Sequence, residues 1–212
     1  MDPRLLPLGD PSPEDLDRHR LQRLRPHEIA ARLEERSVVF LPLGTLEFHA
    51  QHLPIGLDAL NAEEVCLRAA AAGGGLVYPT LYYGTGGSHG SFPWSFIPPS
   101  GADIEVLLAY SLERLDELGV ELAVMFTGHF APEQVAMVQD TAERWNDRGR
   151  RMRALGLSVD GATGLAIEPD HAGRFETTLL HGHRPETVSP ELIPEPRPGE
   201  AGGDPWGQER YD

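Results

Sequence analysis

An α/β fold with a mainly parallel sheet covered on both faces is what this sequence predicts, and three observations carry the prediction. Short β-branched and apolar runs at 37–43, 76–83, 120–126 and near 153–159 alternate with helical stretches of ten or more residues. Such spacing implies βαβ crossovers, which join parallel strands and lay helices on the sheet. Glycines stand where the helical patterns stop, and the chain, 212 residues with 40% hydrophobic content, is sized for one buried core.

The opening stretch, MDPRLLPLGDPSPEDLDRHR, is charged and broken by prolines. It lacks the apolar run and small-residue cleavage site of a secretion signal, and no later window approaches the roughly 18 apolar residues of a membrane span. A soluble, cytoplasmic protein is therefore expected. Residues 1–36 form an N-terminal arm with a first helix, and 37–43 (SVVFLPL) the first strand. Gly44 begins a loop, and 59–72 reads as an Ala-rich helix stopped by Gly73-Gly74-Gly75. An extended stretch, 76–83, leads into a Gly/Ser/Pro segment at 84–100 without strong periodicity. Helix 101–118 carries Ile104, Leu107, Leu108, Leu112 and Leu115 at helical spacing, with Gly119 as its stop. Strand 120–126, helix 132–148, a strand near 153–159 and a short helix around 173–183 follow. The tail 189–212, with five prolines from Pro190 to Pro205, reads as coil or an interaction arm, so the main domain spans 37–188.

Composition narrows the function. There are 33 acids against 18 bases, a net charge of −15, and every base is Arg. Without Lys there is no Schiff-base chemistry, no pyridoxal attachment and no phosphate-loop lysine. The acidity argues against nucleic acid, which needs a basic face. A single Cys66 excludes an internal disulfide, a four-Cys zinc site and a CxxC redox pair. Nine His beside the carboxylate excess are ligand material for a metal.

In parallel sheets, ligand sites lie beyond the carboxyl ends of strands, so the loops after Leu43 and Phe126 are where chemistry belongs. The first of these, Gly44-Thr45-Leu46-Glu47-Phe48-His49-Ala50-Gln51-His52, runs on to Asp58. Glu47 and His49 are two apart, so in extended backbone both point to one side. Asp58 alone reads as an N-cap, and a lone His as a surface residue. Together in one loop they exceed what capping and solubility need. Thr127-Gly128-His129-Phe130 follows the third strand, where Gly128 is read as a sharp turn that presents His129. A third segment, Asp170-His171-Ala172-Gly173-Arg174-Phe175-Glu176-Thr177-Thr178, suits a turn entering a helix, with Asp170 or Thr177 as cap.

These residues resemble the signature of the creatininase (creatinine amidohydrolase) family. GTLEFHAQHLPIGLD looks like its G-[ST]-x-E-[QA]-H-G-x-H-L-P-x-x-x-D pattern. Tyr83-Gly84 through Ser88-His89-Gly90-Ser91-Phe92-Pro93, then Gly128-His129, then Asp170 to Thr178 follow in the family's order, over about residues 37 to 188. The resemblance implies a three-layer α/β/α sandwich holding two divalent metal ions, zinc, manganese or iron. Glu47 and His49 would each serve one metal, Asp58 would bridge both, His129 would be a further ligand and Glu176 the closing carboxylate. Creatininase carries a carboxylate two residues after the G-H histidine; here that residue is Ala131, and Glu133 is the weaker substitute for Glu176. The expected chemistry is attack of a metal-activated hydroxide on the carbonyl of a small amide, cleaving a C–N bond. His171 and His52 are candidates for proton transfer, with His52 equally suited to orienting a ligand.

His89, Trp94 and Phe130 fall on the substrate side. The usual N-G-H-G-G-N is Thr127-Gly128-His129-Phe130-Ala131-Pro132, and the usual F-P-G-T is Phe92-Pro93-Trp94-Ser95. Ala50 replaces a glycine of the first motif. A substrate other than creatinine is therefore expected, with Trp94 as core or as a lid. Two other readings stay open: a catalytically silent relative kept for binding or assembly, and hydrolysis of a C–C, lactone or peptide-tail bond on the same metals. The resemblance also implies a homo-oligomer, hexamers being common in the family. His19, His27, His181 and His183 read as surface or interface residues. Gly203-Asp204-Pro205 resembles the segment that precedes a last helix in relatives, so a short version of the fold is expected.

Overall fold

The structure is a computed structural model that describes residues 10–193; the first nine residues and the tail from 194, including Gly203-Asp204-Pro205, lie outside the described residues. Strand β1 (Val38–Leu43) is the pivot of a four-stranded sheet. On one side it pairs in parallel with β3 (Leu122–Thr127), from Val38↔Leu122 to Leu43↔Thr127. β3 in turn pairs in parallel with β4 (Arg153–Ser158). On the other side lies the two-residue β2 (Leu76–Val77), so the spatial order is β2-β1-β3-β4.

The extended stretch expected over 76–83 is thus much shorter as a strand. The chain still runs beside β1, with Tyr78 N–H donating to Phe40 O and Leu81 N–H to Pro42 O. Beyond Tyr78 the regular pairing with β1 lapses, and a bridge at Leu43↔Leu81 is what remains of it.

Side chains alternate across the sheet. Val39, Leu41, Leu43, Ala123, Met125 and Ala154 face a core shared with α4 (Ala102–Glu117) and α5 (Pro132–Asn146), through Leu108, Leu112, Val138 and Trp145. Phe40 and Phe126 point the opposite way, onto Cys66, Leu67 and Ala70 of α3 (Leu57–Gly73). Two-sided burial is what produces the near-continuous apolar strands read in the sequence.

Ahead of β1 the single expected helix is two, the short Pro13–Asp17 (α1) and Pro26–Glu35 (α2), with Leu21, Leu24, Ile29 and Leu33 packed on the main core. His19, expected at the surface or an interface, is only 7% exposed; its ring bonds Gly75 O and its carbonyl accepts from Val77 N–H, closing the β2 edge. The last described helix is α6 (Arg174–His183), which packs on α3.

From β1 the chain crosses through α3 to β2, and the later strands are added on β1's other flank. The loops leaving β1 and β3 therefore diverge at their carboxyl ends and open a crevice, where ligands bind in open parallel sheets. Both candidate loops of the sequence end there.

Candidate metal centre

Two glycines bring the ligand-bearing segments together. A Cβ on Gly44 would sit 2.3 Å from Ala59 N, and one on Gly128 would sit 2.0 Å from Asp58 O. The backbone at the start of α3 is thus wedged against the ends of both β1 and β3. Gly128 was expected to provide a sharp turn; its φ is not positive, and close approach is what excludes a side chain there.

Asp58 enters between the two strand ends. It is the second residue of α3 and caps nothing, because Gly56 holds the N-cap position. Glu176 occupies the first turn of α6, whose capping is done from outside by Asp170 Oδ1 accepting from Phe175 N–H at 3.0 Å. Both carboxylates therefore sit at positive helix ends, which favours their charged form.

These two acids meet Glu47, His49 and His129. His129 Nδ1 lies 3.0 Å from Glu47 Oε2 and 3.3 Å from Asp58 Oδ2. His49 Nε2 lies 3.3 Å from Asp58 Oδ1 and 3.5 Å from Glu176 Oε2. Two groups of three ligand atoms result, Glu47-Asp58-His129 and His49-Asp58-Glu176, and Asp58 belongs to both. A third group, Glu47-His49-His171, joins them through His171 Nδ1, 3.9 Å from Glu47 Oε1. All five acids and histidines of the first two groups are at most 5% exposed.

Burying three carboxylates together is costly unless positive charge accompanies them. His49 Nε2 and both Asp58 oxygens make no hydrogen bond among the described residues, despite their proximity. The reason lies in the ring. His49 Nδ1 sits 3.0 Å from the Glu47 carbonyl, an acceptor only, so it carries the proton and leaves the Nε2 lone pair aimed at the carboxylates. Lone pairs of nitrogen and oxygen converging on one dry point repel unless a cation lies between them. A backbone carbonyl holding the second ring nitrogen is also how metal-ligating His residues are oriented. The donor set fits divalent cations.

In the metal-free chain, protons would take that role. Burial pulls the His49 pKa down, but Asp58, Glu176 and Glu47 outweigh it and push it up to about 10. Burial likewise opposes His129, which Asp58 and Glu47 raise to about 11. Burial, with Asp58 and Glu47 adding to it, raises Glu176 to about 8. Asp58 is held far below the usual carboxylate range: burial opposes this, but His49 and His129 dominate.

The surrounding residues sort by position. His171 stacks on His49, with ring centroids 4.3 Å apart, and its Nε2–H donates to Phe48 O at 3.0 Å. A cavity of about 370 Å³ opens over the centre, lined by Glu47, His129, His171 and Glu176 below and by Gly87, Ser88, Phe130, Ala131 and Pro132 around it. Phe130 is steadied edge-to-face by Phe175. Other expected residues lie elsewhere. His52 is buried, outside the three ligand groups, with Nε2 3.0 Å from Thr177 Oγ1. Trp94 is not core: it is 57% exposed, and it is not among the residues that line the cavity. His89 opens a 3₁₀ turn, His89–Ser91. Glu133 accepts from Gly87 N–H at 3.4 Å and joins no ligand group, leaving Glu176 as the carboxylate brought into the cluster.

Two features had no reading in the sequence. Ala50 and Ala172 both adopt left-handed backbone (φ 58° and 54°), and the strained Ala172 presents its N–H to Glu176 Oε2 at 2.6 Å. Gln134, fully buried in the first turn of α5, bonds the loop at Thr85 and the end of β3 at Thr127. Its signal was present: a polar residue in register with Met137, Val138 and Thr141 on the core-facing stripe of that helix.

The family model for creatininase, described as creatinine amidohydrolase, matches residues 22–211. A creatinine amidohydrolase of Pseudomonas putida is 28% identical over 181 residues, 74% of this chain and 68% of that protein. A mycofactocin precursor peptide peptidase of Mycobacterium ulcerans (strain Agy99) is 30% identical over 167 residues, 73% of this chain, and the match spans 60% of that protein's length. A crystal structure of creatinine amidohydrolase (creatininase) superposes with a TM-score of 0.70 and 26% identity, covering 84% of this chain and 77% of that one. Further creatininase structures that match in fold include a Zn-Zn type and an Mn form.

Proposed function

This chain belongs to the creatininase family, whose members are hydrolases, and from that premise we propose that it is a metal-dependent amidohydrolase cleaving a C–N bond of a small cyclic or linear amide other than creatinine. The observation that carries the reading is Asp58, shared by two buried three-donor groups. Glu47, Asp58 and His129 would hold one divalent cation, and His49, Asp58 and Glu176 a second. Mixed imidazole and carboxylate donors suit zinc, manganese or iron. Bound there, such ions supply Lewis acidity, polarising a carbonyl oxygen and lowering the pKa of water.

The chain's own residues supply the rest. His171 lines the cavity and spends Nε2–H on Phe48 O, which turns Nδ1 toward the centre. Nδ1 is the atom that takes a proton and returns it to the leaving nitrogen. The stack on His49 fixes the plane of that ring. His52 serves as a support: through Thr177 it steadies the turn of α6 that carries Glu176. Phe130 and Pro132 wall the cavity with apolar surface, excluding water around the scissile bond. The volume suits a small molecule.

A peptide amide is the second substrate reading, supported by the 30% identical mycofactocin precursor peptide peptidase. A homo-oligomer is part of the proposal, supported by Val106, Leu107 and Tyr110, all more than half exposed on α4. No helix among the described residues is long and apolar enough to cross a membrane.

The test is metal content with turnover. Purified protein is expected to hold close to two transition-metal ions per chain, and Glu47→Gln with His129→Ala, which removes two donors of one group, to retain only about one. A panel of lactams, formamides, linear amides and short peptides is expected to include a substrate whose turnover a chelator abolishes. Metal-free protein whose folding those substitutions leave unchanged would refute the proposal.

A further inference from the structure

The first turn of α5 touches both segments that border the cavity. Gln134 is 0% exposed; its Oε1 accepts from Thr85 N–H at 2.9 Å, and its Nε2 lies 3.3 Å from Thr127 Oγ1. Thr127 Oγ1, equally buried, donates to His129 O at 2.7 Å. The direction of this chain is forced. The Thr85 N–H can only donate, so the amide oxygen faces it and the amide NH₂ faces Thr127. The threonine hydroxyl, already accepting from the amide, has a single proton, and that proton goes to the His129 carbonyl. One residue earlier, Glu133 Oε2 accepts from Gly87 N–H at 3.4 Å, so the same helical turn also holds a residue of the cavity wall.

We infer that Gln134 is a positioning residue for the metal centre, acting through Thr127 on the backbone of His129 and through Thr85 on the cavity wall. The inference rests on the metal reading above and adds a selectivity to it. Gln134 reaches the group Glu47-Asp58-His129 through two hydrogen bonds in series. The group His49-Asp58-Glu176 is instead organised by the Glu47 carbonyl, the Ala172 N–H and α6. A residue that merely filled space would loosen both groups alike.

Gln134→Glu keeps the size and the acceptor for Thr85 but replaces the donor facing Thr127 with a second acceptor. The single threonine proton then has two competing acceptors, and the His129 carbonyl loses its share. Thr127→Val breaks the same chain from its middle at constant shape, and Thr127→Ser restores the hydroxyl. Zinc affinity of chelator-stripped protein is measured in two backgrounds: Glu176→Gln, which leaves the His129 group intact, and His129→Ala, which leaves the His49 group.

In the first background, Gln134→Glu and Thr127→Val are each expected to weaken zinc by about 10–100-fold, the usual scale for partners that orient a ligand. In the second, the loss stays under about twofold, since separate networks combine additively. Thr127→Ser recovers the affinity. Melting temperatures of the stripped proteins accompany each titration, and the Thr127→Val and Thr127→Ser pair carries the test if Gln134→Glu fails to fold. Equal losses in both backgrounds, or none in either, would overturn the inference while leaving the metal centre standing. A wild-type chain that takes up no zinc would overturn the metal reading, and the positioning role with it.

Discussion

Asp58→Asn is the substitution that separates one shared centre from a cluster of buried ion pairs. The side chain keeps its size, and one oxygen remains, but the charge is lost at the point common to both ligand groups. Asp58 lies 3.3 Å from His49 Nε2 through one oxygen and 3.3 Å from His129 Nδ1 through the other. A unit-charge pair at that range and an effective dielectric near 20 interacts by about 5 kcal/mol. The amide dipole of Asn recovers part of this, leaving a loss of about 3–4 kcal/mol per ion, or roughly 10²–10³ in Kd at each group. The assay equilibrates stripped protein with zinc at a fixed free concentration about tenfold above the wild-type Kd, followed by elemental analysis. At that setting wild type is nearly saturated and Asp58→Asn holds almost no metal. His129→Ala and Glu176→Gln, each outside one of the groups, retain about half the wild-type content. An Asp58→Asn protein that still carries one ion per chain would refute the shared-ligand reasoning, because one group would then be independent of Asp58.

Further outcomes follow from the same geometry. Gly128→Ala forces a Cβ to within 2.0 Å of Asp58 O, so thermal unfolding should drop by the upper end of the about 1–3 kcal/mol overpacking range. Gly182→Ala, with nothing within 4 Å of its Cβ, is the control and should be neutral or stabilising. In stripped protein, His49 (about 10), His129 (about 11) and Glu176 (about 8) are all raised, so the folded chain binds more protons than the unfolded one as pH rises from about 4.5. Its stability should therefore fall with rising pH while zinc binding strengthens, and the melting-temperature gain from zinc should grow between pH 6 and 9. A gain that shrinks over that window would contradict the assignment. His183 is lowered to about 4 by burial and by Arg68 and Arg184, so the unfolded state binds its proton first. This contribution is lost as pH falls from about 6.5 toward 4, against the trend of the centre, so wild type should lose stability relative to His183→Gln over that window in calorimetry. Trp94→Ala should leave kcat/KM within about twofold, whereas Phe130→Ala should raise KM, because Phe130 lines the cavity and Trp94 does not.

The helices α3 to α6 and strands β1, β3 and β4 were legible because each is long enough to show its own period, 3.6 or 2 residues, and is punctuated by Gly or Pro. The residues of the candidate centre were legible for a different reason. Glu47, His49 and Asp58 crowd one loop, and His129 and Glu176 follow in order within the other motifs of the resemblance. Where the reading departed from the structure, the cause was contact at long sequence separation. Gly128 excludes a side chain because Asp58 O lies against it, 70 residues earlier in the chain. His52 was open between proton transfer and orienting a ligand, and its contact with Thr177 on α6 lies 125 residues away in the chain. The part-buried cluster in which Glu63 of α3 bonds both Arg20, between α1 and α2, and Arg184, just after α6, had no local pattern to announce it.

By itself, then, the sequence determined the repertoire: a parallel α/β sheet, and the histidines and carboxylates able to hold metal at the ends of its strands. Periodicity and motif spacing are local properties, and local backbone geometry enforces them. Only the tertiary structure decided the grouping. It placed Asp58 between two ligand sets, turned His171 Nδ1 toward the centre, kept Glu133 out of it and left Trp94 outside the cavity. Those outcomes depend on how β1, β3, α3 and α6 pack at the switch point, where ångström-scale approaches between distant backbones select which side chains share a dry volume.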